Sequence, residues 1–550
     1  MLGRKLILLV IILILVVSGS SFGNGEQIET RSIMLSVSSS SVLVTNVIPE
    51  DYEGTTHSWE LEAINGKVIL NLTSDPLFME ELSEENGASP LQPDVTSLPY
   101  DSPFGFHPAW TSFKNTDTWQ DRYTEALNMG IQWERCMIYA FWPEVQRDKN
   151  EIEQGIFHWE TYDLEYGLLA QAGINILANI AHIWANPNPS YAENSSSWLP
   201  YDEEAYVKFV KAVVKRYATG TTGNITIKYW QVENEPNFIP ERSVKSYAQL
   251  MKLTYEAIKE ADPEAKVLIG GCGGPGWDLS SRTIGWYEEV LRELDGKYMD
   301  IFDWHFYGNA TGDYKRLEYV IPAVRDLLDR YGFGDVPIWI TEMGTYSGTL
   351  NDGGRGGKIP DPGTFQSEEA QARDMVKRYV YSLSLGVEKV FMCFGLVEGF
   401  QEPDNDYFDH TGFICDGRFN DDRGAGAKKK AYYAYKVMIS KLEGSDWSSI
   451  EPIDLGEEDV YAFKFSRNGK TVYIIWWDNY EDEMALVQER IRQFNEEQKQ
   501  RGLITVGTAL AILTAFAAGA YWIIRKGFLK KSKRTFSLIY PSSEKLGNIR

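Results

Sequence analysis

Between Phe104 and Phe394 the chain repeats one arrangement: a short apolar run of β-favouring residues, then a stretch with apolar positions at helical spacing. Candidate strands fall at Phe104–His107, Ile131–Ile138, Ile174–Ala181, Ile225–Val232, Lys266–Gly270, Met299–Phe306, Pro337–Glu342 and Lys389–Phe394, with helices predicted, for example, over Glu203–Tyr217, Val244–Ala261, Leu317–Tyr331 and Ser367–Leu385. Alternation of this kind specifies parallel pairing, because two parallel strands need a crossover and the helix is that crossover. Eight units over roughly 340 residues fit an α/β fold of the (β/α)8 or TIM-barrel type with long loops after the strands. An open doubly wound sheet fits less well, since no glycine-rich phosphate loop follows the first strand.

The flanks have a different grain. Residues 1–25 show Arg4-Lys5, the apolar run Leu6–Val17 and small residues from Ser18 to Gly25, the order of a secretory signal peptide. Residues 26–98 are expected to supply strands, with alternation at Val42–Val47 and Gly66–Thr73 and a turn signal at Asn65-Gly66. The proline-bearing stretch 88–103 is expected to be a linker into the barrel, which takes residues 99–445. Residues 446–480 return to strands, Asp459–Phe465 and Thr471–Trp477, joined across Asn468-Gly469. A lone hairpin is marginal in water, so it is expected to pack with the N-terminal strands as a small β-sandwich against the barrel. Residues 481–502 are charged and helix-favouring, a predicted stalk. Leu503–Ile524 carries no charge, long enough at ~1.5 Å per residue to cross a ~30 Å hydrocarbon core. Arg525, Lys526, Lys530, Lys531, Lys533 and Arg534 follow at once and mark residues 525–550 as a cytoplasmic tail. The expectation is a single-pass protein of the cell membrane with its barrel outside.

The formal charge of -24 sits between termini that are both basic, so the body is strongly acidic. Such a surface repels phosphate backbones, and no nucleic-acid partner is expected. Cys136, Cys272, Cys393 and Cys415 show neither CxxC pairing nor metal-ligand spacing with histidine, so neither a metal nor a cofactor is predicted.

Two of the strands end on a carboxylate. The run Ile225–Val232 stops at Glu233-Asn234-Glu235-Pro236, and Val336–Ile340 runs into Thr341-Glu342-Met343-Gly344. In a parallel barrel all strand ends meet at one face, so carboxylates from strands four and seven look at each other across the mouth. One acid to protonate a leaving oxygen and one carboxylate to attack are the two groups that cleavage of a glycosidic bond requires. Strand alternation puts Glu233 on the same face as Glu235, which makes it the rival acid. Aromatic content of 13% suits stacking on sugar faces as well as a core. Trp142, Trp184, Trp198 and Trp304, at or after strand ends, are the candidate stacking residues.

These motifs resemble the clan A glycoside hydrolases, retaining (β/α)8 enzymes, with echoes of the family 5 cellulase-like and family 39 types. The resemblance covers residues ~100–445 and rests on Asn234-Glu235-Pro236, on His305-Phe306-Tyr307 at the end of strand six, and on Ile340-Thr341-Glu342-Met343-Gly344. It implies that Glu235 is the acid/base and Glu342 the nucleophile. By the same resemblance Asn234 bonds a sugar 2-hydroxyl, Arg135 stands beside the nucleophile, and His182, His305 and Tyr307 line the substrate. The eighth strand departs from the pattern, because Phe394 stands where the clan has a tryptophan; Phe394, or Glu398 in the next loop, is expected to take over that contact. The implied activity is retaining hydrolysis of β-linked oligo- or polysaccharides. The alternatives are a non-catalytic carbohydrate-binding surface protein and a transglycosylase built on the same site.

Overall fold

The computed structural model describes residues 30–82, 101–110, 118–182 and 196–479, apart from 275, 277, 278, 280, 281, 351–364, 400–405 and 419–422. The predicted signal peptide, residues 88–100 of the linker, the stalk, the apolar segment 503–524 and the basic tail lie outside the described residues. Among the described residues no helix is long and apolar enough to cross a membrane.

Five strands come first: β1 (Arg31–Ser36), β2 (Ser41–Asn46), β3 (Ser58–Glu62), β4 (Lys67–Leu72) and β5 (Leu77–Leu82). The barrel region follows with β6 (Phe104–His107), β7 (Trp133–Arg135), the two-residue β8 (Ala140–Phe141), β9 (Asn175–Ala181), β10 (Tyr229–Val232), β11 (Lys266–Leu268), β12 (Phe302–Tyr307) and β13 (Ile338–Gly344). A small outlying pair, β14 (Gly348–Thr349) and β15 (Phe365–Gln366), precedes β16 (Val387–Cys393), and the chain continues to β17 (Glu451–Pro452), β18 (Val460–Arg467) and β19 (Lys470–Trp477). Hydrogen-bonded neighbours run β11-β10-β9-β7-β6-β16-β13-β12. A parallel bridge from Leu268 to Ile301, the residue before β12, joins the two ends of that row. The eight strands therefore close into a parallel ring in the order the chain makes them, with β8 an extra piece paired to β9.

The crossover helices show why the sequence builds them. Glu203–Tyr217 is opened by Asp202, whose side chain accepts from the Ala205 N–H, with acids in the first turn and Lys215 and Arg216 in the last. Those charges complement the helix dipole, while Tyr206, Phe209, Val210, Val213, Val214 and Tyr217 form one buried stripe. The apolar run Ile225–Val232 yields a shorter strand than expected. The N–H of Ile225 donates to the Thr222 carbonyl in the turn after this helix and that of Ile227 to the Tyr217 carbonyl at its end, so only Tyr229–Val232 is left to pair with neighbouring strands.

Alternation along the barrel strands sorts side chains into two layers. Trp133, Leu177, Leu268, Ile301, Trp339 and Phe391 point inward and form a closed apolar plug. Gly105 faces this plug because a Cβ there would stand 2.6 Å from the Phe391 ring. Two residues further along the same strands, and four on β12 for His305, the inward positions are polar: His107, Arg135, Asn179, Gln231, Asp303 and His305. The plug thus closes the barrel's floor and the polar residues sit above it, at the C-terminal ends of the strands.

The flanking strands make a second body. β17-β18-β19-β5-β2-β3 form one antiparallel sheet and β1-β4 another. Asn468 and Gly469 both take positive φ and turn β18 into β19 with Arg467 opposite Lys470. Asn65 and Gly66 turn in the same manner, yet the strands they join belong to different sheets, because β3 pairs with β2 and β4 with β1. Along β19, Tyr473 and Ile475 face the sandwich interior with Ile33, Leu35, Val68 and Leu70. Val472, Ile474 and Trp476 face the other way into the main core. A buried charge cluster joins the two bodies: Asp478, just past β19, accepts from Lys377 Nζ at 2.6 Å and from the Tyr314 hydroxyl.

Asp478→Asn removes the carboxylate that accepts from the buried Lys377 ammonium, and is expected to lower stability by about 3 kcal/mol, measured by denaturant or thermal unfolding at neutral pH. Burial alone would raise the Asp478 pKa, but the Lys377 charge and the hydrogen bonds hold it below the usual carboxylate range. Its contribution is therefore complete above about pH 4 and lost as pH falls through the lower folded value. The gap between parent and variant should narrow on that acid side only.

Candidate active site

Glu342 enters the barrel mouth through a register shift. On β13, Ile338 and Ile340 belong to the outer core and Trp339 to the inner plug, so strict alternation would send Glu342 outward. Instead Trp304 lies opposite Ile340 and His305 opposite Glu342, which leaves Thr341 as an extra residue and re-aims the carboxylate inward. There Glu342 Oε1 accepts from Arg135 Nη1 at 2.6 Å and Oε2 from the Tyr307 hydroxyl at 2.5 Å. Arg135 also donates to Gln231 Oε1 at 2.7 Å and to Asn234 Oδ1 at 2.6 Å, so every arm of the guanidinium is occupied.

Glu235 reaches the same space by a sharp turn. Both Glu233 and Glu235 take left-handed backbone, with φ of 62° and 44°, conformations that cost a non-glycine residue energy. This turn separates the two carboxylates and corrects the expectation that they share a face. Glu233 is fully buried, and its Oε1 accepts from the His182 backbone N–H at 2.9 Å and meets His182 Nδ1 at 2.6 Å. Glu235 keeps 22% of its side chain exposed and meets His305 Nδ1 at 3.2 Å. Carboxylate oxygens of Glu235 and Glu342 and a ring nitrogen of His305 all lie within 4.8 Å of one another.

His305 is the hub of the charge pattern. Its Nδ1 stands 3.3 Å from Glu342 Oε2 and its Nε2 3.4 Å from Asp303 Oδ2. Burial would lower its pKa, but Glu342, Asp303 and Glu235 outweigh that and bring it to about 10, so the ring is an imidazolium at neutral pH. Asp303 is held in turn by Gln231 Nε2, the Thr341 hydroxyl at 2.7 Å and the Thr341 N–H at 3.0 Å. Burial pushes Glu342 upward, yet the His305 and Arg135 charges and the Tyr307 hydroxyl bring it well below the usual carboxylate range. Glu235 moves the other way: burial, reinforced by the Glu342 charge, raises it despite the bond to His305. The two carboxyls, drawn together by the fold, are thereby pushed apart in acidity, Glu342 downward and Glu235 upward.

No protein-family model matches this chain. Among solved structures it is similar to a glucosidase from Croceicoccus marinus, at 14% identity over 66% of this chain and 76% of that one, with a TM-score of 0.44. It is also similar to the GH39 enzyme from Xanthomonas axonopodis pv. citri, at 16% identity, 67% and 72% coverage and a TM-score of 0.43. An α-L-arabinofuranosidase from Thermotoga maritima matches at 12% identity, 68% and 80% coverage and a TM-score of 0.41. What the site can do is decided by its own side chains.

The structure brings Arg135, Asn234, Glu235, His305, Tyr307, Glu342 and Phe394 to one mouth. Phe394 packs against His107 and Phe408, with ring centroids 5.3 and 5.7 Å away. Other expected contacts are corrected. His182 is fully buried and committed to Glu233, so it supports the turn rather than meeting a ligand. Trp304 faces the outer core, stacks on Tyr287 and donates its indole N–H to the Gly276 carbonyl at 2.9 Å. A stacking platform needs an open face, and Trp304, Trp142 and Trp198 have none. Glu398 is buried against Lys429 and unavailable to the mouth. Trp184 lies outside the described residues.

His107 was missed. It ends β6, its Nδ1 bonds the Arg135 carbonyl at 2.6 Å, and its Nε2 lies 3.8 Å from Glu342 Oε1. Burial and the Arg135 charge hold its pKa down at about 3, so it is a neutral neighbour and forms no ion pair. Asp303 and Gln231 were missed too, though each lies two positions from a residue that was singled out, on the same face of its strand. Two triads, Glu235-His305-Glu342 and His107-Glu342-Cys393, have the spacing of cation ligands. Both share Glu342, whose oxygens already face the Arg135 and His305 charges, and those charges oppose a further cation.

Asp303→Asn removes the carboxylate behind His305 Nε2. The imidazolium, expected to persist through about pH 8 in the parent, should then titrate at lower pH, as read from ring-nitrogen chemical shifts.

Proposed function

We propose that this chain is a retaining β-glycoside hydrolase acting by double displacement, with Glu342 as nucleophile and Glu235 as acid/base. The observation that carries the proposal is the close pair of carboxyls with opposite tuning. Their oxygens lie within 4.8 Å, which suits the retaining spacing of about 5–5.5 Å and leaves too little room for the water of an inverting enzyme.

In the first step Glu342 attacks the anomeric carbon, the glycosidic C–O bond breaks, and Glu235 gives its proton to the departing oxygen. A glycosyl ester of Glu342 results. In the second step Glu235, now a carboxylate, takes a proton from water as the water oxygen attacks the same carbon and releases Glu342. Arg135 and Tyr307 fix the attacking carboxylate, and the charge on His305 favours the ionised form of Glu342 between turnovers. Asn234 gives its carbonyl oxygen to Arg135, which turns its amide NH2 into the donor for a sugar hydroxyl. Phe394 supplies an apolar wall to the glycone side. The exported, membrane-anchored arrangement expected from residues 1–25 and 503–524 belongs to the same reading, with the barrel on the outer face; it predicts that intact cells lose the barrel, and no cytoplasmic marker, to added protease.

The test is a panel of aryl β-glycosides with the purified protein. Glu342→Ala is expected to abolish turnover on all of them. Glu235→Ala should lose about 10²–10⁴-fold on poor leaving groups and far less on good ones, since only the former need a proton. The first-formed product, followed by NMR, should keep the β configuration. Catalysis needs Glu342 ionised and Glu235 protonated, so the rate should fall in base as Glu235 loses its proton and in acid only below the usual carboxylate range. Glu235→Ala should remove the alkaline limb. Full activity in Glu342→Ala, or an inverted product, would sink the assignment.

A further inference from the structure

We propose that His107 and Cys393 form a two-ligand site for a soft monovalent metal cation of the copper(I) class, in the wall of the mouth beside Glu342. The two residues are far apart in sequence but end neighbouring strands: β6 and β16 pair in parallel with Cys393 directly opposite His107. Both strands alternate in step. Gly105 and Phe391 face the plug, Phe106 and Met392 the outer core, and His107 and Cys393 the mouth, so imidazole and thiol stand side by side in one layer. A ring nitrogen of His107, the sulfur of Cys393 and a carboxylate oxygen of Glu342 all lie within 4.8 Å of one another. One ion bonded to sulfur at ~2.3 Å and to an imidazole nitrogen at ~2.0 Å holds the two about 4.3 Å apart when the three atoms are in line. The gap is of the size that a single ion fills.

The lone pairs are in place. His107 Nδ1 bonds the Arg135 carbonyl at 2.6 Å, and because a carbonyl only accepts, that nitrogen carries the ring's proton. Nε2 of the neutral ring is then a bare lone pair, and among the described residues it is a buried polar atom with no hydrogen-bond partner. Cys393 is a free, buried thiol whose sulfur lies 3.3 Å from the Tyr307 hydroxyl, and that hydroxyl gives its one proton to Glu342. Thiolate selects copper(I), and imidazole suits copper as well. Charge decides the valence. The Arg135 and His305 charges oppose any added charge, but a monovalent cation that bonds the sulfur displaces the thiol proton, which leaves to solvent, so the net charge of the mouth does not change. A divalent ion at the same place adds one positive charge. Copper(I) and its air-stable analogue silver(I) accept two ligands in line, so Glu342 keeps its bond to Arg135, and an ion standing there blocks the approach to that carboxylate.

The experiment titrates the purified protein with silver nitrate in chloride-free buffer and counts bound silver by native mass spectrometry, with circular dichroism to check that each variant is folded. One equivalent is expected on the parent and on Cys136→Ala, Cys272→Ala and Cys415→Ala, and none at the same concentration on Cys393→Ser or Cys393→Ala. His107→Gln still donates to the Arg135 carbonyl but offers only a hard oxygen, and should bind silver about tenfold more weakly or worse, since even the partners behind a metal ligand are worth that much. Zinc at equal concentration should leave the protein unoccupied. No silver on the parent, an undiminished equivalent on both Cys393 variants, unweakened binding by His107→Gln, or zinc held as tightly as silver overturns the site. Occupancy is read by mass and so stands apart from the glycosidase reading. Turnover of an aryl β-glycoside should fall in step with occupancy; full turnover at full occupancy overturns the block on Glu342, and absence of turnover in the metal-free protein overturns the glycosidase reading and leaves the metal site standing.

Discussion

The ion pair between Arg135 and Glu342 is the contact on which the mouth of the barrel depends. Neither charge is tolerable alone at that depth, since an unpaired buried ion costs several kcal/mol. Together they pass their constraint outward. Arg135 positions Gln231 and Asn234, Gln231 bonds Asp303, and Asp303 backs the imidazolium of His305, which returns to both carboxyls. A closed circuit of charge-assisted bonds leaves each side chain few alternative rotamers. The same circuit separates the two acids, because Arg135 pairs with Glu342 while His305 stands equally close to both.

That circuit needs a floor that excludes water and a scaffold that aims every strand end one way. The parallel ring supplies the second and the Trp133-Trp339-Phe391 plug the first. Lys389 shows how strongly the plug shapes its neighbours. Its ammonium lies 4.9 and 5.3 Å from the Trp133 and Trp339 ring centroids and donates to the Ser102 carbonyl, and burial brings its pKa down to about 8. Above the plug the inward residues become polar two positions along most strands, so the transition from core to chemistry occupies a single layer.

The sandwich ties the chain's two flanks to one another and to the barrel. β5 and β19, nearly four hundred positions apart, are paired neighbours in one sheet, and the second face of that sheet is part of the barrel's core. Its contribution to the mouth is indirect. The helix Glu368–Ser384, which carries Lys377 and Arg378, is gripped on one side by Asp478 and on the other supports the loops after β12 and β13.

Much of this was legible in the linear chain, for a physical reason. Strand and helix periodicity, turn pairs such as Asn468-Gly469, and carboxylates at strand ends are local features, dictated by backbone sterics and by which face must be dry. The ring of strands, the hairpin and the pair Glu235 and Glu342 follow from such features. Contacts between residues distant in sequence had no local signal. The extra residue at Thr341 that turns Glu342 inward, the left-handed turn that parts Glu233 from Glu235, the capture of His182, the burial of Trp304 and the arrival of His107 beside the carboxylate all depend on how neighbouring strands register. Composition and periodicity determined that there would be a barrel with acids at its rim; only packing in three dimensions decided which acid is made stronger, which weaker and what stands between them, because a pKa is set by burial and by charges that the fold alone brings near.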